Sequence, residues 1–470
     1  MEKFDLIVIG GGAAGLVTSA GAAGLGARVA LVERSQMGGE CLWTGCVPSK
    51  ALLACAKAAA HARSAARFGI HADVRVDFPD VMRFVHGVRN AIAPHDTAER
   101  FRGLGVTVLE GTARFVGDRS LDVDGRRIIA KRVVIATGSR PAIPSIPGLD
   151  TVPFLTNETV FELREQPSHL LVLGGGPMGL ELAQGFARLG SRVTVIESRE
   201  ALLPREDPDL VSLLAAAIRA DGAVILPGTT ATAVRTTNGG IELDLRAADG
   251  VTRTVVGSHL LVAAGRAPRT DTMDAHAGGV EIGPRGIVVD DRLRATAPGV
   301  WAIGDCIDGP HFTHAADYQA QLVLRNAFFP FPRRADYRVL PWVTYTDPEL
   351  AHVGLAEHEA RDRGGKVIVF ARRFAAVDRA ITDDERVGMV KLVTGRRGEV
   401  LGGHVLGAGA SQMIGEIALA MHARLGVRAL ASFIRPYPSM PEAIQHAARE
   451  YDKARFTGAV RSIARWLVRR

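Results

Sequence analysis

Residues 5–33, DLIVIGGGAAGLVTSAGAAGLGARVALVE, decide the fold. The apolar run Leu6 to Ile9 reads as a buried strand that breaks at Gly10, Gly12 and Gly15, in G-x-G-x-x-G spacing. A helix of small residues follows, then a second apolar strand ending in Glu33. Each glycine has a separate task. Gly10 permits the tight turn, Gly12 lets the backbone approach a pyrophosphate, and Gly15 lets helix and strand pack closely. The helix N-terminus presents its N–H groups to the phosphates, and Glu33 can accept hydrogen bonds from a ribose. A lone glycine motif is weak evidence, but strand, helix, second strand and terminal acid together predict a dinucleotide-binding unit.

The pattern returns at residues 170–197, LLVLGGGPMGLELAQGFARLGSRVTVIE, with Gly174, Gly176 and Gly179 and a terminal Glu197. One chain is therefore expected to bind two dinucleotides. An acid at that strand end favours the free 2′-hydroxyl of NAD, whereas a 2′-phosphate wants a cation beside it. Ser198 offers none, although Arg199 and Arg205 stand near enough to leave NADPH open. Other strands end in small-residue turns, where α/β sheets place ligands. These are VVIATGSRP at 133–141, with Thr137 and Gly138; LLVAAGRAPRT at 260–270, with Gly265; and TAPGVWAIGDC at 296–306, with Gly304 and Asp305. Asp305 can hydrogen-bond a ligand such as a flavin's ribityl chain from there, while each of these turns taken singly reads equally as an ordinary loop.

At 470 residues the chain is too long for one core, and three domains are expected. Its 47% hydrophobic and 23% charged residues exclude disorder and a fibrous repeat. The N-terminal apolar run is too short to span a membrane and is used by the first glycine motif, so no cleavable leader and a cytoplasmic location are expected. Four cysteines make no disulfide scaffold. The net charge of +7 is partly local: YDKARFTGAVRSIARWLVRR, residues 451–470, carries six Lys or Arg against Asp452. With Phe456, Val460, Ile463 and Leu467 at helical spacing, this tail suits a membrane surface or a partner, but a terminal helix packed on its own protein is the favoured reading, and no nucleic-acid partner is expected.

GGECLWTGCVPSK at 38–50, the two glycine motifs, ATGSRP, AAGRAPRT, AIGD, VTYTDPELAHVG and YPSMPEA together resemble the class I pyridine nucleotide-disulfide oxidoreductases, which include dihydrolipoamide dehydrogenase and mercuric reductase. The resemblance runs over nearly the whole chain. It implies an α/β protein with two Rossmann-like domains, one inserted in the other, and a C-terminal α+β dimerisation domain. The expected divisions are an FAD domain at 1–145 and 275–335, an NAD(P) domain at 146–274, and a dimerisation domain with a basic tail at 336–470, with the Pro-rich stretch 140–153 as linker. It also implies a homodimer.

The resemblance assigns Cys41 and Cys46 to a redox-active disulfide, with Cys41, the more exposed, attacking substrate and Cys46 beside the flavin as a thiolate. A disulfide that opens on taking two electrons and closes on returning them is sound chemistry for such a pair. A helix starting near Cys46 and the charge of Lys50 would lower that thiol's pKa. Zinc is disfavoured because Cys55 and Cys306 form no second pair and read as small core residues, so no metal site is expected. His311 and His314 have ligand-like spacing, but a loop near the flavin is the better reading. Lys50 and Glu181 match a family pair beside the flavin where hydride arrives. Pro177 stands where some relatives place a gating aromatic.

One departure limits the substrate. Family disulfide reductases end in a His-Pro motif whose His is held by a Glu, and here Tyr437 takes the His position while Glu442 is retained. Unperturbed Tyr has a pKa of about 10 and is a poor base near neutrality. Mercuric reductases resemble this chain in carrying Tyr there, yet they finish with a metal-loading cysteine pair, and no Cys follows Cys306. NAD(P)H is thus expected to reduce FAD, then the Cys41–Cys46 disulfide, then an open acceptor. A small disulfide is the default, a metal ion or quinone the alternative, and a flavin-stabilised binding or scaffold protein the alternative of another class.

Overall fold

The computed structural model describes residues 1–455 and 458–469, without the side chains of Ala459, Val460 and Ile463. The tail positions Phe456 and Arg470 lie outside the described residues. Strands β1 (Glu2–Ile9), β2 (Val29–Glu33), β3 (Val106–Glu110), β4 (Ala113–Gly117), β5 (Ser120–Val123) and β6 (Arg126–Ile135) form one sheet in the order β3-β2-β1-β6-β5-β4. The β3-β2-β1-β6 run is parallel, and its apolar residues are buried, as expected of strands covered on both faces.

A second parallel sheet, ordered β9-β8-β7-β10, is built from β7 (His169–Leu173), β8 (Arg192–Ile196), β9 (Ala223–Leu226) and β10 (His259–Val262). The chain then returns to the first sheet, where β11 (Val300–Ala302) pairs with β6. Of the two strands joining these parts, Ser139–Pro141 runs antiparallel to Arg266–Pro268. Five further strands make an antiparallel sheet ordered β12-β13-β16-β15-β14: β12 (Pro341–Thr344), β13 (Glu349–Gly354), β14 (Val367–Arg373), β15 (Met389–Gly395) and β16 (Val400–Gly407). Helices Ala410–His422 and Glu442–Arg455 bury Met413, Ile417, Ile444 and Tyr451 in its core. The whole is an α/β protein with two Rossmann-like sheets and a C-terminal α+β domain.

Close helix packing positions the functional residues. Helix α1 (Ala13–Gly24) is rich in small residues, and a Cβ on its Gly21 would lie 2.3 Å from Leu324 Cδ1 on helix Thr313–Phe328. The short α2 (Gly39–Trp43) is followed by α3 (Cys46–Ser64), which packs on α4 (Pro177–Leu189). At Gly185 of α4 a Cβ would already touch Leu53. The basic tail forms helix Gly458–Val468, with Trp466, Leu467 and Val468 exposed. Among the described residues no helix is long and apolar enough to cross a membrane.

Candidate active site

The two glycine motifs have the same geometry. Gly10 has φ +108°, and a Cβ there would stand 2.3 Å from Ala136 O; Gly174 has φ +117°, with Ala263 O at 2.3 Å. A Cβ on Gly15 would come within 1.8 Å of Gly10 O, and one on Gly179 within 2.0 Å of Gly174 O, so in both units the helix touches the strand turn. Gly12 and Gly176 stand at the helix mouths: Gly12 meets only Gly39 Cα at 3.8 Å, and Gly176 meets nothing within 4 Å. Each terminal acid is already oriented by the backbone. Glu33 accepts from Gly11 N (2.6 Å) and Ser35 N (2.8 Å), and Glu197 from Gly175 N (2.7 Å) and Arg199 N (2.8 Å).

Both motifs open on one cavity of about 1700 Å³. Typical ligand pockets hold roughly 300–1,000 Å³, so this space suits two extended ligands meeting in the middle. Gly10, Gly12, Glu33, Thr137, Gly138, Gly304 and Asp305 line it together with Gly174, Gly176, Glu197 and Gly265. Open helix mouths, a ready carboxylate and this volume fit FAD at the first motif and a pyridine nucleotide at the second. Asp305 is held by Ser139 Oγ–H (2.7 Å), and Arg266 Nε donates to Ser139 Oγ (2.8 Å). Thr137 Oγ–H donates to Arg269 O (2.6 Å).

Cys41 and Cys46 face each other where the two halves of the cavity meet. Gly45 makes this possible, since a Cβ there would lie 2.9 Å from Glu40 O and 3.3 Å from Cys41 Cα. Both cysteines are free thiols. Cys46 is the first residue of α3 and is exposed onto the cavity, whereas Cys41 is half-buried within the single turn of α2. Both thiols line the cavity. The Cys41 thiol donates to Cys46, which pushes Cys41 far up and, with Thr313 Oγ1 at 3.5 Å and the Lys50 charge, holds Cys46 down to about 6 against the burial that opposes it. One thiolate and one thiol are the result.

Lys50 Nζ lies 2.7 Å from Glu181 Oε2 and 4.5 Å from the centre of the Tyr345 ring, and Tyr345 N donates to Glu181 Oε1 (2.7 Å). Pro177 and Tyr345 both line the cavity. His311 and His314 also line it, but their Nε2 atoms bond the carbonyls of Ile307 (3.1 Å) and Pro341 (2.7 Å). Cys306 is fully buried, with its thiol pushed up to about 11 by burial, and Cys55 packs at the edge of a core.

Tyr437 and Glu442 are not brought to this cavity by their own chain. Tyr437 is 71% exposed on the C-terminal domain, and its hydroxyl donates to Asp378 Oδ2 (2.9 Å), which raises its pKa further. Glu442 does not hold Tyr437; it accepts from Ser439 N (3.1 Å) at the start of its helix. The reason is local: the carboxylate of a first-turn Glu reaches back to cap its own helix. Sequence reasoning missed Thr313, Tyr345 and the ion pair of Arg266 with Glu40, whose Nη1–Oε1 distance is 2.6 Å. The motif GGECLWTGC contains Glu40 and AAGRAPRT contains Arg266, but no spacing rule joins positions 226 residues apart.

The family model of the pyridine nucleotide-disulphide oxidoreductases matches residues 4–320, and that of their dimerisation domain residues 340–448. A mercuric reductase of Streptomyces lividans is 39% identical over 461 residues, covering 95% of this chain and 96% of the relative. Dihydrolipoyl dehydrogenase 3 of Pseudomonas aeruginosa is 36% identical over 461 residues, covering 96% and 98%. Among solved structures, the Cu(II) complex of the HOCl-induced flavoprotein disulfide reductase RclA from Escherichia coli aligns with a TM-score of 0.85 at 28% identity, covering 96% and 99%. The chain belongs to the pyridine nucleotide-disulphide oxidoreductases: it is an FAD-dependent, homodimeric enzyme of that family acting on sulfur groups through a redox-active cysteine pair.

Proposed function

We propose that the electrons leave the Cys41–Cys46 dithiol for a soft, thiophilic metal ion of the Hg(II) or Cu(II) class, with NADH as the favoured donor. The observation that carries this reading is Tyr437, bonded to Asp378 at 2.9 Å in place of a base that titrates near neutrality. Oxidising a dithiol substrate, or releasing two thiols from a disulfide, calls for proton transfers that a raised Tyr supports poorly. A metal ion asks only that Cys41 release its proton to solvent, with no proton delivered to a leaving thiol. The relatives named as mercuric reductases and the Cu(II)-bound structure support the same class. We take residues 1–145 with 275–335 as the FAD unit, 146–274 as the NAD(P) unit, and the cytoplasm as the reducing compartment.

When bound, FAD relays the electron pair of the nicotinamide to the sulfurs. Glu181, held by Tyr345 N, fixes Lys50 as a positive charge at the cavity centre. Lys50 and Thr313 keep Cys46 ionised on the flavin side, and Cys41 is the sulfur that meets substrate. The metal ion binds both sulfurs and Cys41 loses its proton to solvent. Two electrons then leave the sulfurs as the Cys41–Cys46 bond forms, reducing the bound Hg(II) to Hg(0), or the bound Cu(II) and a second Cu(II) from solution to two Cu(I). NADH reopens the bond in the next cycle. Glu197 with Ser198 favours the free ribose hydroxyl. In the homodimer, Tyr437 of one protomer is free to close the cavity of the other.

An anaerobic acceptor screen with FAD-loaded protein tests the reading. NADH oxidation driven by Hg(II) or Cu(II), and abolished in Cys41→Ser and Cys46→Ser, is expected. A higher kcat/KM for lipoamide or glutathione disulfide than for either ion would replace the metal with a small disulfide. Full metal turnover in Cys46→Ser would move the exit point off the thiols.

A further inference from the structure

A second polar centre lies inside the C-terminal sheet, where it meets the second nucleotide unit. In the antiparallel pairing of β13 and β16, His352 stands directly opposite His404, and both are fully buried. Their rings meet edge to face with centres 4.3 Å apart. Glu206, 6% exposed, reaches them from the loop before helix Pro208–Ala220.

The hydrogen bonds define which nitrogens carry protons. His352 Nε2 faces Gly354 O at 2.9 Å and His404 Nε2 faces Leu355 O at 3.1 Å; carbonyls only accept, so both Nε2 atoms are N–H donors. His352 Nδ1 then faces Glu206 Oε2 at 2.9 Å, while Trp342 Nε1–H holds the other Glu206 oxygen (2.6 Å). A lone pair and a carboxylate at that distance require something positive between them. One proton on Nδ1 would satisfy His352 and Glu206. It would leave His404 Nδ1, buried and without a hydrogen-bond partner, bare. A cation satisfies all three.

We infer that Glu206, His352 and His404 bind a divalent cation of the Zn(II) class that clips the second nucleotide unit to the C-terminal domain. One ligand atom from each of the three lies within 4.8 Å of the others. Two imidazoles and a carboxylate are a zinc-type set rather than a calcium- or magnesium-type one. Ligands roughly 2.1 Å from a tetrahedral metal are spaced by about 3.3 Å, so the His352–Glu206 contact needs to open only slightly. Each imidazole gives its outer N–H to a backbone carbonyl, the arrangement that orients metal-bound histidines. Asp207 is not a ligand; its Oδ2 is paired with Lys391 at 3.1 Å. The cation also bears on the cavity, because Trp342 stacks on His352 at 3.8 Å and lines the cavity wall.

The test uses the full FAD-loaded dimer with Cys41→Ser and Cys46→Ser, so that metal capture at the dithiol does not enter, and it reads binding rather than turnover. One zinc per chain is expected after gel filtration in metal-free buffer. Cobalt-grown protein should show the visible bands of a tetrahedral N/O site. Glu206→Gln and His404→Gln should each abolish both signals, and the zinc-dependent rise in thermal midpoint should be confined to the parent. Equal metal content in parent and variants, or none in any, with a midpoint indifferent to zinc, overturns the inference and leaves a shared proton between His352 and Glu206. Should either variant fail to fold, the parent decides: no cobalt bands and no zinc-dependent midpoint is the same overturning result.

Discussion

At the scale of single residues the site is a problem in proton placement. Cys46, held down to about 6, is a thiolate at neutral pH, whereas Cys41 is pushed up and keeps its proton. Alkylation of the reduced protein should therefore proceed at Cys46 with a midpoint near pH 6, the reactive form appearing as pH rises through it. Lys50→Met should move that midpoint upward, because a charge that favours the thiolate is gone; a midpoint already at the ordinary thiol value in the parent would contradict this picture. Tyr437 belongs to the same scale. Installing a base by Tyr437→His should raise dihydrolipoamide oxidation by roughly 10²-fold, measured as NAD⁺ reduction, while Tyr437→Phe should leave metal turnover nearly unchanged. That Tyr437 departs from the family His was legible in the sequence; its bond to Asp378, 59 residues away, was not.

At the scale of elements, the strand–turn–helix units explain why so much of the nucleotide site could be read in advance. Gly10, Gly12 and Gly15 act within one short segment, and the constraint each answers to is local: a positive φ, an open helix mouth, a helix lying on its own strand turn. Gly15→Ala should drive a methyl against Gly10 O and lower bound flavin per chain, read from the ratio of flavin to protein absorbance. Gly24→Ala, also in α1 but with nothing within 4 Å, should keep full flavin and gain about 0.5–1 kcal/mol in helix stability. Equal flavin loss in both would show that the helix as a whole, not the turn contact, is at fault. Both thiols face the cavity, Cys41 from α2 and Cys46 as the first residue of α3.

At the scale of the whole molecule, one buried charge cluster ties three parts together. Arg188 on α4 reaches Asp347 of the C-terminal domain (2.6 Å) and Asp221 (2.9 Å), and Lys57 on α3 reaches Asp347 as well (3.3 Å). Burial alone would raise Asp347, but Arg188 and Lys57 bring it below the usual carboxylate value. A depressed carboxylate contributes stability above its unfolded pKa, near 3.9, and loses it as pH falls through the lower folded value. Arg188→Met leaves Asp221 to Gln184 (2.7 Å) and Asp347 to Lys57 (3.3 Å), should cost about 1–3 kcal/mol, and should shift acid unfolding to higher pH; calorimetry between neutral pH and pH 3 checks both. The sequence alone determined the two dinucleotide units and the close cysteine pair, because each rests on residues near together in the chain, whereas the pairing of Lys50 with Glu181 and the place of Tyr437 came from the family resemblance. Only the tertiary structure decided what holds Tyr437, how Arg188 joins the domains, and that His352 and His404 meet Glu206. Those facts depend on elements brought together from 59 (Tyr437 and Asp378), 146 (His352 and Glu206) and 159 (Arg188 and Asp347) residues apart, and no local periodicity records such a meeting.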